Sequence, residues 1–164
     1  MKPSVYIETS VISALVDERS HPASKTQRLQ TQQWWEQQSP GFELFYGEAV
    51  LVELQRTPFP RQKEALAILD NMEFLAINDE IDGVASVYQK HLLMPVGDFG
   101  DALHLAIACV NGMDYLLTWN CRHLANTNKI QHIQTINLRL GLVTPMLLTP
   151  PMLVASEENR DEEI

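Results

Sequence analysis

Short apolar runs alternate with longer amphipathic stretches along this chain. Residues 3–7, with Val5-Tyr6-Ile7 at their centre, are short, apolar and β-rich, and predict a buried strand. Thr9 or Ser10 is placed to cap a helix through Val11–Val16. After a break at Asp17 to Pro22, a Gln-rich stretch predicts a helix from about Ala23 to Gln38. Trp34 and Trp35 pack one side of it against the body, and Pro40-Gly41 ends it. Phe42 to Tyr46 predicts a second strand, and Gly47 turns the chain into a helix over Glu48 to Arg56. Pro58 and Pro60 separate this from a helix over about Arg61 to Met72. Phe74 to Ile77 reads as a third strand, and Asp79 as the cap of a helix reaching about His91. Pro95 to Gly100 reads as a loop. Asp101 to Val110 is apolar nearly all round, which predicts a central helix, stopped by Asn111-Gly112. Tyr115 to Thr118 is a fourth strand, residues 137–142 a short helix, and Met146 to Leu148 a last extended piece before Pro150-Pro151. Strands alternating with helices imply an α/β sandwich with a mainly parallel sheet. Such sheets bind ligands beyond the carboxyl ends of their strands, where Glu8 and Asn120 would lie.

At 164 residues the chain is long enough to bury one core, and there is no internal repeat. No apolar run reaches the length of a membrane span, and Met1-Lys2-Pro3-Ser4 leads straight into a strand without a signal-peptide shape, so a cytoplasmic location is expected. Cys109 and Cys121 do not make a disulfide framework and are expected reduced. The net charge of −9 argues against a broad phosphate-binding surface. Part of it is concentrated in residues 156–164, read as a solvated, disordered acidic tail after a domain over residues 1–155. Within that domain Arg56, Arg61 and Lys63 form a local basic group, as a solvated helix face or an RNA-steering patch.

Four polar positions carry the chemistry. Glu8 follows the first strand, where an ordinary strand-exit acid or a partner of the next helix's positive end is also possible. Glu53 falls between Ala49 and Val50 on a helical wheel, the packing face; a salt bridge to Arg56 is its plain explanation. Asp98 and Asp101 open the central helix as possible cap and first-turn acid. His104, one turn on, is expected to be a hydrogen-bonded core residue and not a metal ligand. Asn120 follows the fourth strand as a turn residue, or as an amide oxygen facing a metal or its water. Thr118 could orient a neighbouring carboxylate. Together the sheet edge would gather three carboxylates and an amide. Oxygen donors without a Cys or His cluster favour Mg²⁺ or Mn²⁺, whose natural chemistry is phosphodiester hydrolysis.

These residues resemble a known family. Val5-Tyr6-Ile7-Glu8-Thr9-Ser10-Val11-Ile12 is similar to the opening motif of PIN-domain proteins, Ala49-Val50-Leu51-Val52-Glu53-Leu54 to the second motif, Asp101-Ala102-Leu103-His104-Leu105-Ala106-Ile107-Ala108 to the third, and Leu116-Leu117-Thr118-Trp119-Asn120 to the fourth. The resemblance spans about residues 3–150 and is strongest to the VapC-like branch, toxins of type II toxin–antitoxin pairs. It implies a three-layer α/β/α fold with a central, mainly parallel sheet of four to five strands. It also implies a Mg²⁺- or Mn²⁺-dependent ribonuclease, an RNA substrate, a cognate antitoxin and a homodimer. On that resemblance Glu8, Glu53, Asp101 and Asn120 are the catalytic set. Glu8, Asp101 and Glu53 hold metal, Thr118 and Thr9 support them, and Arg56, Arg61 and Lys63 contact substrate.

Two departures from the family pattern stand out. Glu8 replaces an Asp and reaches one methylene further. Asn120 replaces an acid, which weakens a second metal more than the first and predicts slow or Mn²⁺-dependent catalysis. A PIN-fold module that binds RNA or protein without cleaving is the alternative. A Rossmann-type nucleotide site lacks its glycines, since Glu8-Thr9-Ser10 occupies the first strand-to-helix turn.

Overall fold

The computed structural model describes residues 1–91, 94 and 97–157. The expected acidic tail therefore lies, from residue 158 onward, outside the described residues, as do Pro95 and Val96 of the expected loop. Five strands form one sheet, all parallel, in the order β3-β2-β1-β4-β5. They are β1 (Ser4–Ile7), β2 (Glu43–Gly47), β3 (Glu73–Leu75), β4 (Tyr115–Leu117) and β5 (Met146–Leu148). The helices are α1 (Thr9–Leu15), α2 (Pro22–Gln37), α3 (Glu48–Arg56), α4 (Gln62–Ile68), α5 (Asp79–Lys90), α6 (Phe99–Val110) and α7 (Thr127–Leu140).

β1 sits at the centre because Val5, Tyr6 and Ile7 are fully buried and must be covered on both faces. The chain leaves it first towards β2 and β3, then crosses back to β4 and β5. Right-handed crossovers running in opposite directions put their helices on opposite faces, giving three layers. Helix contacts follow this division: α1 packs on α2 and α4, and α5 packs on α6. A buried Tyr88 hydroxyl on α5 reaches Asn137 Oδ1 of α7, and Asn137 Nδ2 reaches Cys109 Sγ of α6. The order reverses between β1 and β4, so their carboxyl ends flank the crevice where doubly wound sheets bind ligands. Register sets Ile7 against Leu117. The next residue on each strand is then Glu8 or Thr118, with Glu8 N–H donating to Leu117 O at 3.0 Å.

Several boundaries differ from expectation for local reasons. Helix α1 starts at Thr9, and its cap is not Thr9 or Ser10 but Glu8, whose carboxylate accepts from Ser10 N–H. Asn78, not Asp79, caps α5. Asp98 occupies the cap position of α6 but makes no side-chain capping bond. Helix α7 is far longer than the expected 137–142. Its apolar face is only Ile130, Ile133 and Ile136 at three-residue spacing, and Asn137 is buried where an apolar residue would have revealed the pattern. Gly141, at φ 72°, supplies the left-handed residue that ends it, and Leu142 N–H closes back on Asn137 O at 2.8 Å. Helix α6 is central as expected, with Ala102, Leu105, Ala106, Ile107 and Ala108 fully buried.

Candidate metal-binding and catalytic site

The site is built where β1, β4, α3 and α6 meet. Glu8 is 4 % exposed, yet it is surrounded by donors. Its carboxylate accepts from Ser10 N–H, from Ser10 Oγ at 2.9 Å and from Thr118 Oγ1 at 2.8 Å. These bonds hold both oxygens in place, and a carboxylate's roughly four acceptor positions leave room for a cation as well. Thr118 is fully buried and serves two loops at once, because Asn120 N–H donates to the same Oγ1 at 2.9 Å.

Glu53 comes in from α3, the helix that packs on α6. Its packing-face position follows from the buried Ala49, Val50 and Leu54 around it. The expected partner, Arg56, acts on it only through its field. Instead His104 Nε2 lies 2.8 Å from Glu53 Oε1. Burial alone would push the Glu53 carboxyl up. The hydrogen bond and charge of His104, with a further bond from Thr9, outweigh it and hold the group below the ordinary carboxylate range. A side chain on Gly100 would meet Glu53 Oε1 at 2.9 Å, so the bare α6 backbone is what lets this carboxylate in.

His104 is 1 % exposed and sits between the acids. Its Nδ1 is 2.7 Å from the Tyr6 hydroxyl, which in turn accepts from Gly47 N–H. Burial disfavours the charged imidazole. Glu53, Glu8 and Asp101 favour it, and they raise its pKa above the ordinary histidine value. The imidazole thus feels all three carboxylates, and both its nitrogens are engaged by protein. The expected role of a hydrogen-bonded core histidine describes this environment.

Asp101 opens α6 on the other side of the cluster. Burial raises its pKa; the hydrogen bond from Asn120 opposes this, and the charge of Glu8 adds to it. An acid whose ionisation is disfavoured by another acid is a position where a cation would be welcome. Asn120 does not present its amide oxygen to this space. Oδ1 accepts from Arg122 N–H at 3.2 Å and His123 N–H at 3.0 Å, forming a turn, and the amide nitrogen is left to face Asp101.

Glu53 thus meets the buried imidazole directly, while Glu8 and Asp101 act on it through their charge, at the sheet's switch point. Among the described residues their only ion pair is Glu53 with His104, and no lysine or arginine neutralises them. The donor set is oxygen-rich and free of thiolates, Cys109 being buried elsewhere against Asn137, so it fits a hard divalent ion. Two residues outside the expected set extend the edge: Asp98, Asp101 and His123 place ligand atoms within 4.8 Å of one another. Asp98 was hidden by its position as a helix cap. His123 was hidden by the irregular loop that carries it, although it stands only three residues after Asn120.

A groove of about 640 Å³ runs off the site. Thr9 and Glu53 form its inner end, and Val16, Leu54, Pro58 and Phe59 line its wall. Of the expected basic group, Arg61 is held by Glu64 and Glu18 while Arg56 and Lys63 are exposed.

No protein-family model and no curated protein matches the chain. Solved structures do. VapC20 of Mycobacterium tuberculosis, described as a sarcin-ricin loop cleaving toxin, aligns with a TM-score of 0.54 at 18 % identity, over 69 % of this chain and 87 % of that one. A toxin–antitoxin complex from Klebsiella pneumoniae aligns at 0.50 and 16 % identity, over 77 % and 94 %. VapBC2 from Rickettsia felis, bound to promoter DNA, aligns at 0.49 and 12 % identity, over 88 % and 98 %. At these identities the first two likenesses show a shared fold and no more.

Proposed function

We propose that this chain, which has the PIN-like fold of the VapC toxins, is a divalent-metal-dependent endoribonuclease and the toxin of a type II toxin–antitoxin pair. The observation that supports the reading is buried His104, paired with Glu53 and lying in the field of Glu8 and Asp101, at the switch point of a parallel sheet. Glu8 and Asp101 would hold Mg²⁺ or Mn²⁺, and Glu53 would complete the pocket. A bound ion of this kind neutralises phosphate oxygens and makes a water nucleophilic at neutral pH. The protein's own contribution is positional. Ser10 and Thr118 fix Glu8, and Thr9 and His104 fix Glu53. His104 has its pKa raised by these acids, against the effect of burial, so the cluster favours its protonated form.

The groove beside Glu53 receives the RNA strand, with Arg56, Arg61 and Lys63 steering it. A cognate antitoxin would silence the enzyme by filling the same groove. The role places the protein in the cytoplasm and is compatible with a homodimer. Among the described residues no helix is long and apolar enough to cross a membrane.

The test is cleavage of a mixed RNA pool in EDTA, Mg²⁺ and Mn²⁺ by the wild type, Glu8→Gln and Asp101→Asn. We expect metal-dependent cuts leaving 5′-phosphate and 3′-hydroxyl ends, and loss of them in both variants. Equal cleavage by Asp101→Asn would overturn the catalytic assignment. Asn120, an amide in place of a fourth acid, favours one other reading: a PIN-fold module that binds RNA or protein without cutting. Tight binding without cleavage in either ion would establish that instead.

A further inference from the structure

The loop between β4 and α7 carries His123, which the nuclease reading leaves unused. Asp98, Asp101 and His123 are close enough to share an ion, and two carboxylates with an imidazole are a common ligand set for divalent metals. The hydrogen bonds around His123 point elsewhere. Its Nδ1 lies 3.1 Å from Lys129 Nζ, and its Nε2 lies 3.1 Å from Asp98 Oδ2. An ammonium can only donate. Nδ1 must therefore offer Lys129 its lone pair, and the ring proton resides on Nε2, the nitrogen 3.1 Å from the Asp98 carboxylate. A metal ligand needs the opposite arrangement, with the lone pair towards the ion and the other nitrogen donating outward. Lys129 thus fixes the tautomer that cannot ligate on the Asp98 side.

The arrangement is held from several directions. The His123 side chain is only 11 % exposed, and its backbone N–H is bound by Asn120 Oδ1. Lys129 stands in the first turn of α7, whose start is set by the Asn126 cap. Asn120 itself brings no charge to the corner and turns its amide to Asp101. The corner has an uncharged amide at Asn120 and an organic cation at Lys129.

We propose that the Lys129 ammonium, acting through His123 and Asp98, is the resident cation of this corner and restricts the site to a single divalent ion. The inference rests on the metal-binding part of the nuclease reading and adds to it the number of ions and the residue that sets it. Lys129 and His123 are positioning residues here, not catalytic ones.

The experiment is titration of the intact protein with Mn²⁺ alone, followed by the paramagnetic resonance of free Mn²⁺, so no cleavage is read. The wild type is expected to bind one ion. Lys129→Met keeps an apolar stem, removes the ammonium and frees His123 to change tautomer, so a second ion should bind. Lys129→Arg keeps a donor-only cation and should stay at one. Lys129→Met combined with His123→Ala should return to one. Circular dichroism and thermal midpoints matched to wild type establish that each variant is folded. Two ions in the wild type, one ion in Lys129→Met, or a second ion that survives His123→Ala would each overturn the proposal and leave the nuclease reading standing. No ion in any variant would overturn both.

Discussion

Replacing Glu53 with Gln tests how the acidic cluster is held together. The side chain keeps its shape and one acceptor oxygen, but His104 loses its nearest negative charge at 2.8 Å. His104 is 1 % exposed, so water cannot replace that partner. The Glu53 side chain is 27 % exposed, so solvent screens part of the attraction. A hydrogen bond to a charged group contributes about 1.5–3 kcal/mol, and partial screening places this one near ~2 kcal/mol. For a domain of this size that is about 4–8 °C in thermal midpoint. The pH dependence is more telling. His104 has a raised pKa in the fold, so its contribution is complete below the unfolded value near ~6.5 and fades as pH rises through the folded value. Glu53 has a lowered pKa, so its contribution is complete above about 4.5 and is lost as pH falls through the folded value. The pair therefore stabilises most between about pH 4.5 and 6.5. Urea unfolding of metal-free protein in EDTA across pH 4–9 should show the largest wild-type advantage over Glu53→Gln inside that window. Parallel pH profiles for the two proteins would refute the pair as a source of stability.

Gly100→Ala should lower Mn²⁺ affinity in a binding titration with little change in stability. The helix gains up to about 1 kcal/mol from alanine, while the new methyl group displaces Glu53 Oε1 from a 2.9 Å approach. Asp101→Asn should raise the thermal midpoint of metal-free protein, because burial and the Glu8 charge disfavour its ionised form, and should abolish the stabilisation by added Mn²⁺. Its pKa is raised, so the gain from Asn should appear as pH rises through the titration of Asp101 and vanish below the unfolded value near ~3.9. Tyr88→Phe leaves Asn137 Oδ1 without its buried donor and should cost about 1–3 kcal/mol in urea unfolding, with metal affinity unchanged because Cys109, the α6 residue that Asn137 touches, stands about two turns along the helix from Asp101.

Much of the architecture was legible along the chain because burial on both faces of a central strand demands continuous apolar residues. Val5-Tyr6-Ile7 and Leu116-Leu117 could be little else, and Pro58, Pro60 and Asn111-Gly112 punctuate the helices through backbone sterics alone. The charge type at Glu8, Glu53 and Asp101, and hence the preference for a hard ion, is likewise a property of the residues themselves. What the linear order could not decide is which partner each polar group finds. Glu53 has Arg56 three residues away, yet it pairs with His104, 51 positions on, because the packing of α3 on α6 and the missing side chain of Gly100 bring those two atoms together. Asn120 could turn either end of its amide inward, and only the folded loop, with two backbone N–H groups claiming Oδ1, settles the choice. Asp98, His123 and Lys129 belong to a cap, an irregular loop and a helix whose apolar stripe is interrupted by Asn137. Local pattern encodes which face of an element is buried; the direction of a hydrogen bond depends on three-dimensional neighbours, and those exist only after the sheet has closed.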